Sequence, residues 1–140
     1  MAHPSIEIIR LPRQFHREPR GWSFTPFLDP DRIREIAIDW TSFHTVAMEP
    51  GTVRGNHYHP KTREWLLFCG GTVLLVWQDP DSEEVRQARI EDHHTLVIIP
   101  PGVKHAIKNL SDGLLYLVAF RSPVSDSDRE KALPAPLIKE

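Results

Sequence analysis

Apolar side chains occur along the chain in short runs, and several of these runs alternate with polar residues in the period of two that is typical of β-strands. Predicted strands cover residues 5–11, 35–39, 43–48, 53–59, 64–69, 72–78, 84–90, 95–99, 104–109 and 114–121. Turn-forming residues separate many of them: Pro50-Gly51, Gly70-Gly71, Asp79-Pro80-Asp81, Pro100-Pro101-Gly102 and Ser111-Asp112-Gly113. Many short strands divided by such turns predict an all-β barrel or sandwich.

The pattern divides the chain into three parts. Residues 1–42 contain the N-terminal strand, an irregular arm that is rich in proline, arginine and aromatic residues, and the short strand predicted at 35–39, and we expect this region to pack on the barrel. Residues 43–121 hold the barrel strands. Residues 122–140 form a polar tail, in which 125–133 has the composition of a short helix that prolines then end.

Composition narrows the function classes. A length of 140 residues favours one domain. A formal charge of −2 does not favour nucleic acid or a membrane surface as the main partner. Cys69 is the only cysteine, so an internal disulfide is excluded. The first residues lack a basic segment followed by an apolar one, and together these features predict a cytoplasmic protein.

Three histidines and one glutamate have the spacing of a metal site. His57 and His59 are two residues apart, so on a strand both imidazoles point to the same face. Glu64 opens the next predicted strand, and His105 follows a proline-glycine turn at the start of a later one. Imidazole suits zinc, iron and nickel, and a carboxylate adds manganese. We therefore predict one divalent ion per chain, with zinc favoured.

The two segments that carry these residues resemble the two signature motifs of the cupins. The first runs Gly51, five residues, His57-x-His59, four residues, Glu64, six residues, Gly71. The second runs Pro100-x-Gly102, two residues, His105, three residues, Asn109. The family's leading glycine, six residues before Pro100, is His94 here. The resemblance implies a double-stranded β-helix, the cupin or jelly-roll barrel, and it implies no single function because cupins host many chemistries.

A narrower resemblance concerns the segment Arg54-Gly-Asn-His-Tyr-His59 with Lys-Thr-Arg-Glu64. It looks like the C-terminal cupin domain of bifunctional enzymes that epimerise and reduce UDP-linked 2-acetamido-2,6-dideoxy-hexulose. It is also similar to dTDP-4-dehydrorhamnose 3,5-epimerases and to dTDP-sugar ketoisomerases. Neither uses a metal, and in the ketoisomerases glutamine is common at the position of Glu64. The resemblance implies a nucleotide-linked sugar as the small-molecule ligand.

Two further residues are candidates for catalysis. Arg54 precedes the histidine pair by three residues, so strand parity points it away from the metal unless Gly55 marks a bulge. In the inward orientation it would contact a substrate phosphate. Tyr116 lies in an apolar strand, where it is a candidate general acid or, alternatively, a packed core residue.

Three functions follow as hypotheses. The first is an epimerase or isomerase of nucleotide-linked keto-sugars in which the metal polarises the ketone. The second is another metal-dependent enzyme on the same scaffold, a dioxygenase or small-molecule isomerase, and the third is a cupin that binds a metal or ligand without catalysis. We also predict a homodimer, because Tyr58, Trp65, Leu67 and Cys69 would form an apolar outer face.

Overall fold

The structure is a computed structural model that describes residues 5–11, 14–15, 22–23, 38–39, 41–91, 94–123 and 132–140. Its strands are β1 (Glu7–Arg10), β2 (Gln14–Phe15), β3 (Trp22–Ser23), β4 (His44–Met48), β5 (Val53–Tyr58), β6 (Glu64–Cys69), β7 (Thr72–Gln78), β8 (Val85–Glu91), β9 (His94–Ile99), β10 (Lys104–Asn109), β11 (Leu115–Arg121) and β12 (Leu133–Pro134). The described residues contain no helix, and hence none long and apolar enough to cross a membrane.

Two five-stranded sheets make up the barrel. The first sheet has the order β1-β9-β6-β11-β4 and the second has the order β12-β5-β10-β7-β8, while β2 and β3 pair separately. Every pairing is antiparallel. The all-β prediction is confirmed. Strands β4 to β11 begin and end within one residue of the predicted bounds, whereas β1 begins two residues later than predicted. The strand predicted at 35–39 lies mostly outside the described residues, and Ile38 and Asp39 are not in a strand.

The main core lies between the two sheets. Phe68, Val97 and Leu117 of the first sheet meet Leu75 and Ile107 of the second, and each is almost fully buried. Burying one such side chain contributes about 1.5–3 kcal/mol, so this layer is a principal source of stability. Because inward residues alternate with outward ones, the same parity determines which polar side chains enter the barrel.

A second apolar cluster covers the outer face of the first sheet. Trp65 is 4% exposed and Phe120 is 6% exposed within the single chain. Leu11, Ile9 and Ile38 pack in this cluster. Of the residues on this face that suggested a homodimer, Trp65 is covered by the chain itself, Leu67 is half-buried and Cys69 is exposed. Tyr58, which we grouped with that face, belongs to the second sheet.

Asn109, the last residue of the second motif, has a structural role. It is fully buried, and its Nδ2 donates to the carbonyls of Met48 and Gly113, both at 2.9 Å. Its Oδ1 accepts from the amide of Ser111 at 2.8 Å. The side chain therefore ties the end of β4 to the turn between β10 and β11.

The C-terminal tail lies along the edge of the second sheet. Leu133 pairs with Tyr58 and Pro134 pairs with His57. The helix predicted at 125–133 falls on residues outside the described part of the chain, except for Ala132 and Leu133. Ala132 is in no regular element and Leu133 is in a strand, so neither is helical.

Candidate metal and substrate site

The second sheet brings His57 and His105 side by side. They are direct partners in the pairing of β5 with β10, and their ring centroids are 4.8 Å apart. His59 follows the end of β5, and its ring centroid lies 5.0 Å from that of His57. The carbonyl of His59 accepts from the amide of Gly102 at 2.8 Å, which fastens this segment to the turn before His105.

Glu64 reaches the histidines from the first sheet. Its Oε1 lies 3.1 Å from Nε2 of His105, and both side chains are buried. Nδ1 of His105 faces the carbonyl of Val103 at 3.0 Å and must donate to it, because a carbonyl has no proton to give. In neutral His105 the Nε2 atom therefore carries a lone pair. A lone pair and a carboxylate oxygen at this distance require a cation between them, either a proton or a metal ion.

The ligand atoms of His57, Glu64 and His105 lie within 4.8 Å of one another. His59 is buried beside them, with Nε2 at 3.6 Å from Oε2 of Glu64 and its ring stacked on that of His105 at 6.2 Å. The structure thus brings all four predicted residues together. The ligand atoms of His57, Glu64 and His105 all lie close to one another. His59 is linked to these three residues through its contact with Glu64.

Both shifted groups in the cluster favour the deprotonated form. Burial and then the charge of His105 lower the pKa of His57 from 6.5 to about 4, although Glu64 opposes this. Burial by itself would raise the pKa of Glu64, but the hydrogen bond from His105 and the charges of His105, His59 and Arg121 together lower it to about 2. At neutral pH the cluster therefore offers a neutral imidazole and a carboxylate, the forms that bind metals.

A β-bulge turns Arg54 into the barrel. The pairing of β5 with β10 shifts register between His105 and Ala106, and Asn56 is the extra residue, with φ of 55°. Arg54 consequently pairs with Ile107, a residue of the barrel core, and points to the same side. From the sequence, Arg54 was expected to point inward only if Gly55 marked a bulge, and the structure has a bulge at this place. Gly55, with φ of 88°, permits the bulge because a Cβ there would lie 2.8 Å from the carbonyl oxygen of His105.

These residues line a cavity of about 130 Å³ whose lining comes from strands of both sheets. One wall is apolar and consists of Val46, Leu66, Ile107, Leu117 and Ala119. The polar lining consists of His44, Arg54, His57, Glu64, His105 and Arg121. An apolar wall facing a few convergent polar groups is the usual composition of a small-molecule site.

Tyr116 lies outside this cavity. It is 50% exposed and alternates with Leu115 and Leu117, which point into the core, so it lies on the outer face of the first sheet. It lies neither beside the cluster of His57, Glu64 and His105 nor in the packed core. Strand β11 has apolar residues on both faces. The sequence pattern therefore did not show whether Tyr116 points into the barrel or away from it.

Sequence reasoning missed two residues of the cavity. Arg121 pairs with Glu64 in the first sheet, and its Nε lies 3.3 Å from Oε2 of that carboxylate. His44 lies at the start of β4, opposite Ala119. The parity of β11, in which Leu117 and Ala119 point inward, would have placed Arg121 inside as the next residue of the series.

Comparisons with known proteins place this site in a family context. The chain is 26% identical over 129 residues to the spore coat polysaccharide biosynthesis protein SpsL of Bacillus subtilis (strain 168), covering 85% of this chain and 82% of that protein. Residues 33–132 match the family described as the polysaccharide biosynthesis C-terminal domain.

Solved structures share the fold. A mutant of the 3,4-ketoisomerase QdtA from Thermoanaerobacterium thermosaccharolyticum, in complex with TDP-4-keto-6-deoxyglucose, has a TM-score of 0.65 at 17% identity, covering 90% of this chain and 86% of that one. The capsular polysaccharide assembling protein CapF from Staphylococcus aureus has a TM-score of 0.59 at 21% identity over 68% of this chain. This chain spans only 26% of the CapF chain.

The structural likeness confirms the cupin fold that the two motifs predicted. The family match extends over most of the chain and includes every strand that contributes to the cavity. The chain belongs to the family of polysaccharide biosynthesis C-terminal domains.

Proposed function

We propose that the protein is an epimerase or isomerase of a nucleotide-linked 4-keto sugar, which it binds in the cavity lined by His57, Glu64 and His105. The observation that carries the proposal is the composition of that cavity. A histidine and glutamate cluster lies beside two arginines and opposite an apolar wall. The complex of QdtA with TDP-4-keto-6-deoxyglucose and the relationship to a spore coat polysaccharide biosynthesis protein support this substrate class.

The donor set fits a divalent metal ion. His57, Glu64 and His105 would hold the ion, with His59 as a fourth ligand or as a partner of Glu64. The lone pair of neutral His105 and the facing oxygen of Glu64 call for a cation between them. Zinc is favoured for three imidazoles and one carboxylate, with iron, manganese and nickel as alternatives. When bound, such an ion supplies Lewis-acid polarisation of the substrate ketone.

The chain's own residues bind and orient the substrate. Arg54 is exposed and lines the cavity, and its guanidinium has the planar fork that matches phosphate oxygens, so it holds the diphosphate. Arg121 is engaged with Glu64 and keeps that carboxylate ionised and oriented. Leu66, Leu117 and Ala119 exclude water from one side of the sugar.

Metal content tests the first half of the proposal. We expect one divalent ion per chain in the purified protein by elemental analysis. A double variant, His57→Ala with His105→Ala, should lose the ion and remain folded by circular dichroism. His59→Gln should weaken binding by roughly 10–100-fold, as expected for a residue that mainly orients a ligand. Equal metal content in the parent and the double variant would exclude the site.

Proton exchange tests the second half. The protein is incubated in deuterated water with UDP- and TDP-linked 4-keto-6-deoxy sugars, and deuterium at C3 and C5 is followed by NMR. We expect incorporation with at least one sugar and a lower rate in Arg54→Lys, because lysine cannot make the bidentate phosphate contact. If no sugar exchanges above the double variant's background, the keto-sugar proposal fails, and another metal enzyme or a binding protein takes its place.

A metal-free form of the same chemistry is the second candidate. It is favoured by His57, whose pKa of about 4 leaves the imidazole neutral and able to accept a proton. The two forms differ in one measurable way. Removal of the ion by a chelator abolishes exchange in the metal-dependent form and leaves it unchanged in the metal-free form.

A further inference from the structure

A keto-sugar epimerase or isomerase needs a group that removes the proton beside the ketone, and the metal-ligand assignment leaves this role vacant. A histidine whose lone pair is bound to a metal is a poor base. Tyr116 points out of the barrel, and the guanidinium groups of Arg54 and Arg121 donate hydrogen bonds and do not accept them. The general base has to be another side chain that lines the cavity.

His44 is the remaining imidazole among the described residues that line the cavity. It pairs with Ala119 of β11, which in turn pairs with Leu66 of β6, and both partners contribute to the cavity wall. The next inward pair along these strands is Arg121 with Glu64. Two residues of an antiparallel strand span roughly 7 Å, so His44 is displaced by about that distance along the strand direction from the pair that contains Glu64.

The hydrogen bonds of His44 give it the correct tautomer for a base. Nδ1 lies 2.6 Å from the carbonyl of Ser42 and must donate to it, so in the neutral imidazole Nε2 carries the lone pair. The carbonyl of Ser42 belongs to a turn that two hydrogen bonds stabilise. Ser42 donates its amide and its hydroxyl to the carbonyl of Asp39 at 3.1 and 3.0 Å. The amide of Asp39 donates to the carbonyl of Arg121 at 2.8 Å, which links the turn to β11. A base whose second nitrogen is held by a third group is the arrangement that proton-transfer sites use.

We infer that His44 is the catalytic base that takes the proton from the carbon beside the ketone. This inference rests on the proposed function. In the step, the C3–H bond breaks, its electron pair forms the C3=C4 double bond, and the carbonyl electrons move to the C4 oxygen. The proton passes to Nε2 of His44. The imidazolium exchanges it with solvent and returns a proton to C3, so that no oxidant or reductant is needed.

The test compares His44→Gln with Thr45→Ala, a control on the neighbouring, outward-facing residue of the same strand, which pairs with Val118. We expect His44→Gln to slow deuterium incorporation at C3 by roughly 10²–10⁴-fold. Its metal content and its affinity for UDP or TDP should equal those of the parent. Thr45→Ala should exchange at the parent's rate.

Chemical rescue separates a base from a structural residue. His44 is exposed at the mouth of the cavity, so free imidazole can reach the space left in His44→Ala. We expect added imidazole to restore exchange in His44→Ala and to have no such effect on Arg54→Lys. Exchange in His44→Gln within threefold of the parent would overturn the assignment, as would a metal-replete His44→Ala that imidazole does not rescue. If the parent itself exchanges no sugar, the proposed function fails and the assignment fails with it.

Discussion

The side-chain amide of Asn56 pairs with the backbone of Ile138 at both of its ends. Nδ2 donates to the carbonyl of Ile138 at 2.8 Å, and Oδ1 accepts from the amide of the same residue at 2.9 Å. Oδ1 also accepts from the amide of Leu137, and the backbone carbonyl of Asn56 accepts from Ala135 at 2.7 Å. Since Asn56 is the extra residue of the bulge, the C-terminal tail is fastened to the point that turns Arg54 inward.

Replacement of Asn56 should therefore release the tail. We expect Asn56→Ala to lower the free energy of unfolding by roughly 1–3 kcal/mol, because it removes the tail's hydrogen bonds and places alanine at a positive φ. Hydrogen exchange measured by mass spectrometry should show faster exchange of the amides of Leu137 and Ile138. A chain that ends at residue 134 is the control. In that background Asn56→Ala should cost much less, and equal costs in both backgrounds would contradict the role of the tail.

Gly55 and Gly51 provide a matched pair of substitutions at positive φ. A Cβ at Gly55 would lie 2.8 Å from the carbonyl oxygen of His105 and 3.1 Å from Cα of Ala106, whereas a Cβ at Gly51 meets nothing within 4 Å. Both alanine variants carry the backbone strain of about 1–3 kcal/mol. Gly55→Ala must in addition push the two strands apart. Urea denaturation should show a clearly larger loss of stability for Gly55→Ala, and equal losses would argue against close packing at the bulge.

The metal-stripped protein should lose stability in acid over two pH windows. The pKa of His57 is about 4 in the folded chain and 6.5 as its reference value, so between these values the unfolded chain binds a proton that the folded chain does not. The free energy of unfolding then falls as the pH is lowered from 6.5 to 4. For Glu64 the folded pKa is about 2 against a reference value of 4.5, and its contribution is lost between those two values.

Two variants assign these windows. We expect His57→Gln to flatten the dependence of unfolding free energy on pH between 6.5 and 4, and Glu64→Gln to flatten it below 4.5. Urea denaturation at a series of pH values provides the measurement. If the metal-stripped parent and His57→Gln give parallel curves over the upper window, the burial of a neutral His57 is refuted.

We predict a homodimer that forms through the edge of the first sheet next to β4. Three large apolar side chains in this region are 45–50% exposed, namely Phe43, Leu114 and Tyr116. β4 is the terminal strand in the order of this sheet, and an edge strand with apolar neighbours favours association. Light scattering should report twice the chain mass of 16.1 kDa, and Tyr116→Glu should shift it toward the monomer. A parent protein of monomer mass at micromolar concentration would contradict the prediction.

Local patterns in the sequence were sufficient to predict strands β4 to β11 and the residues of the histidine and glutamate cluster, but not the short strands β2, β3 and β12. Alternation over residues 53–59 predicted that the side chains of His57 and His59 point to the same face. The glycine and proline turns predicted that Glu64 and His105 lie at the starts of strands. These are properties of consecutive residues, because the period of a strand is two and turn residues act over a few positions. The sequence therefore predicted the all-β barrel and the four residues that the structure gathers at one site.

Contacts between distant segments decided which other side chains reach the cavity and where the C-terminal tail is held. Whether Arg54 points in or out depends on the register of β5 against β10, and that register shifts by one residue at Asn56. His44 and Arg121 reach the cavity only because β4 and β6 pair with opposite edges of β11. The Asn56–Ile138 contact joins residues 82 positions apart. Such pairings depend on the packing free energy of the whole barrel, so a pattern read along a single strand cannot contain them.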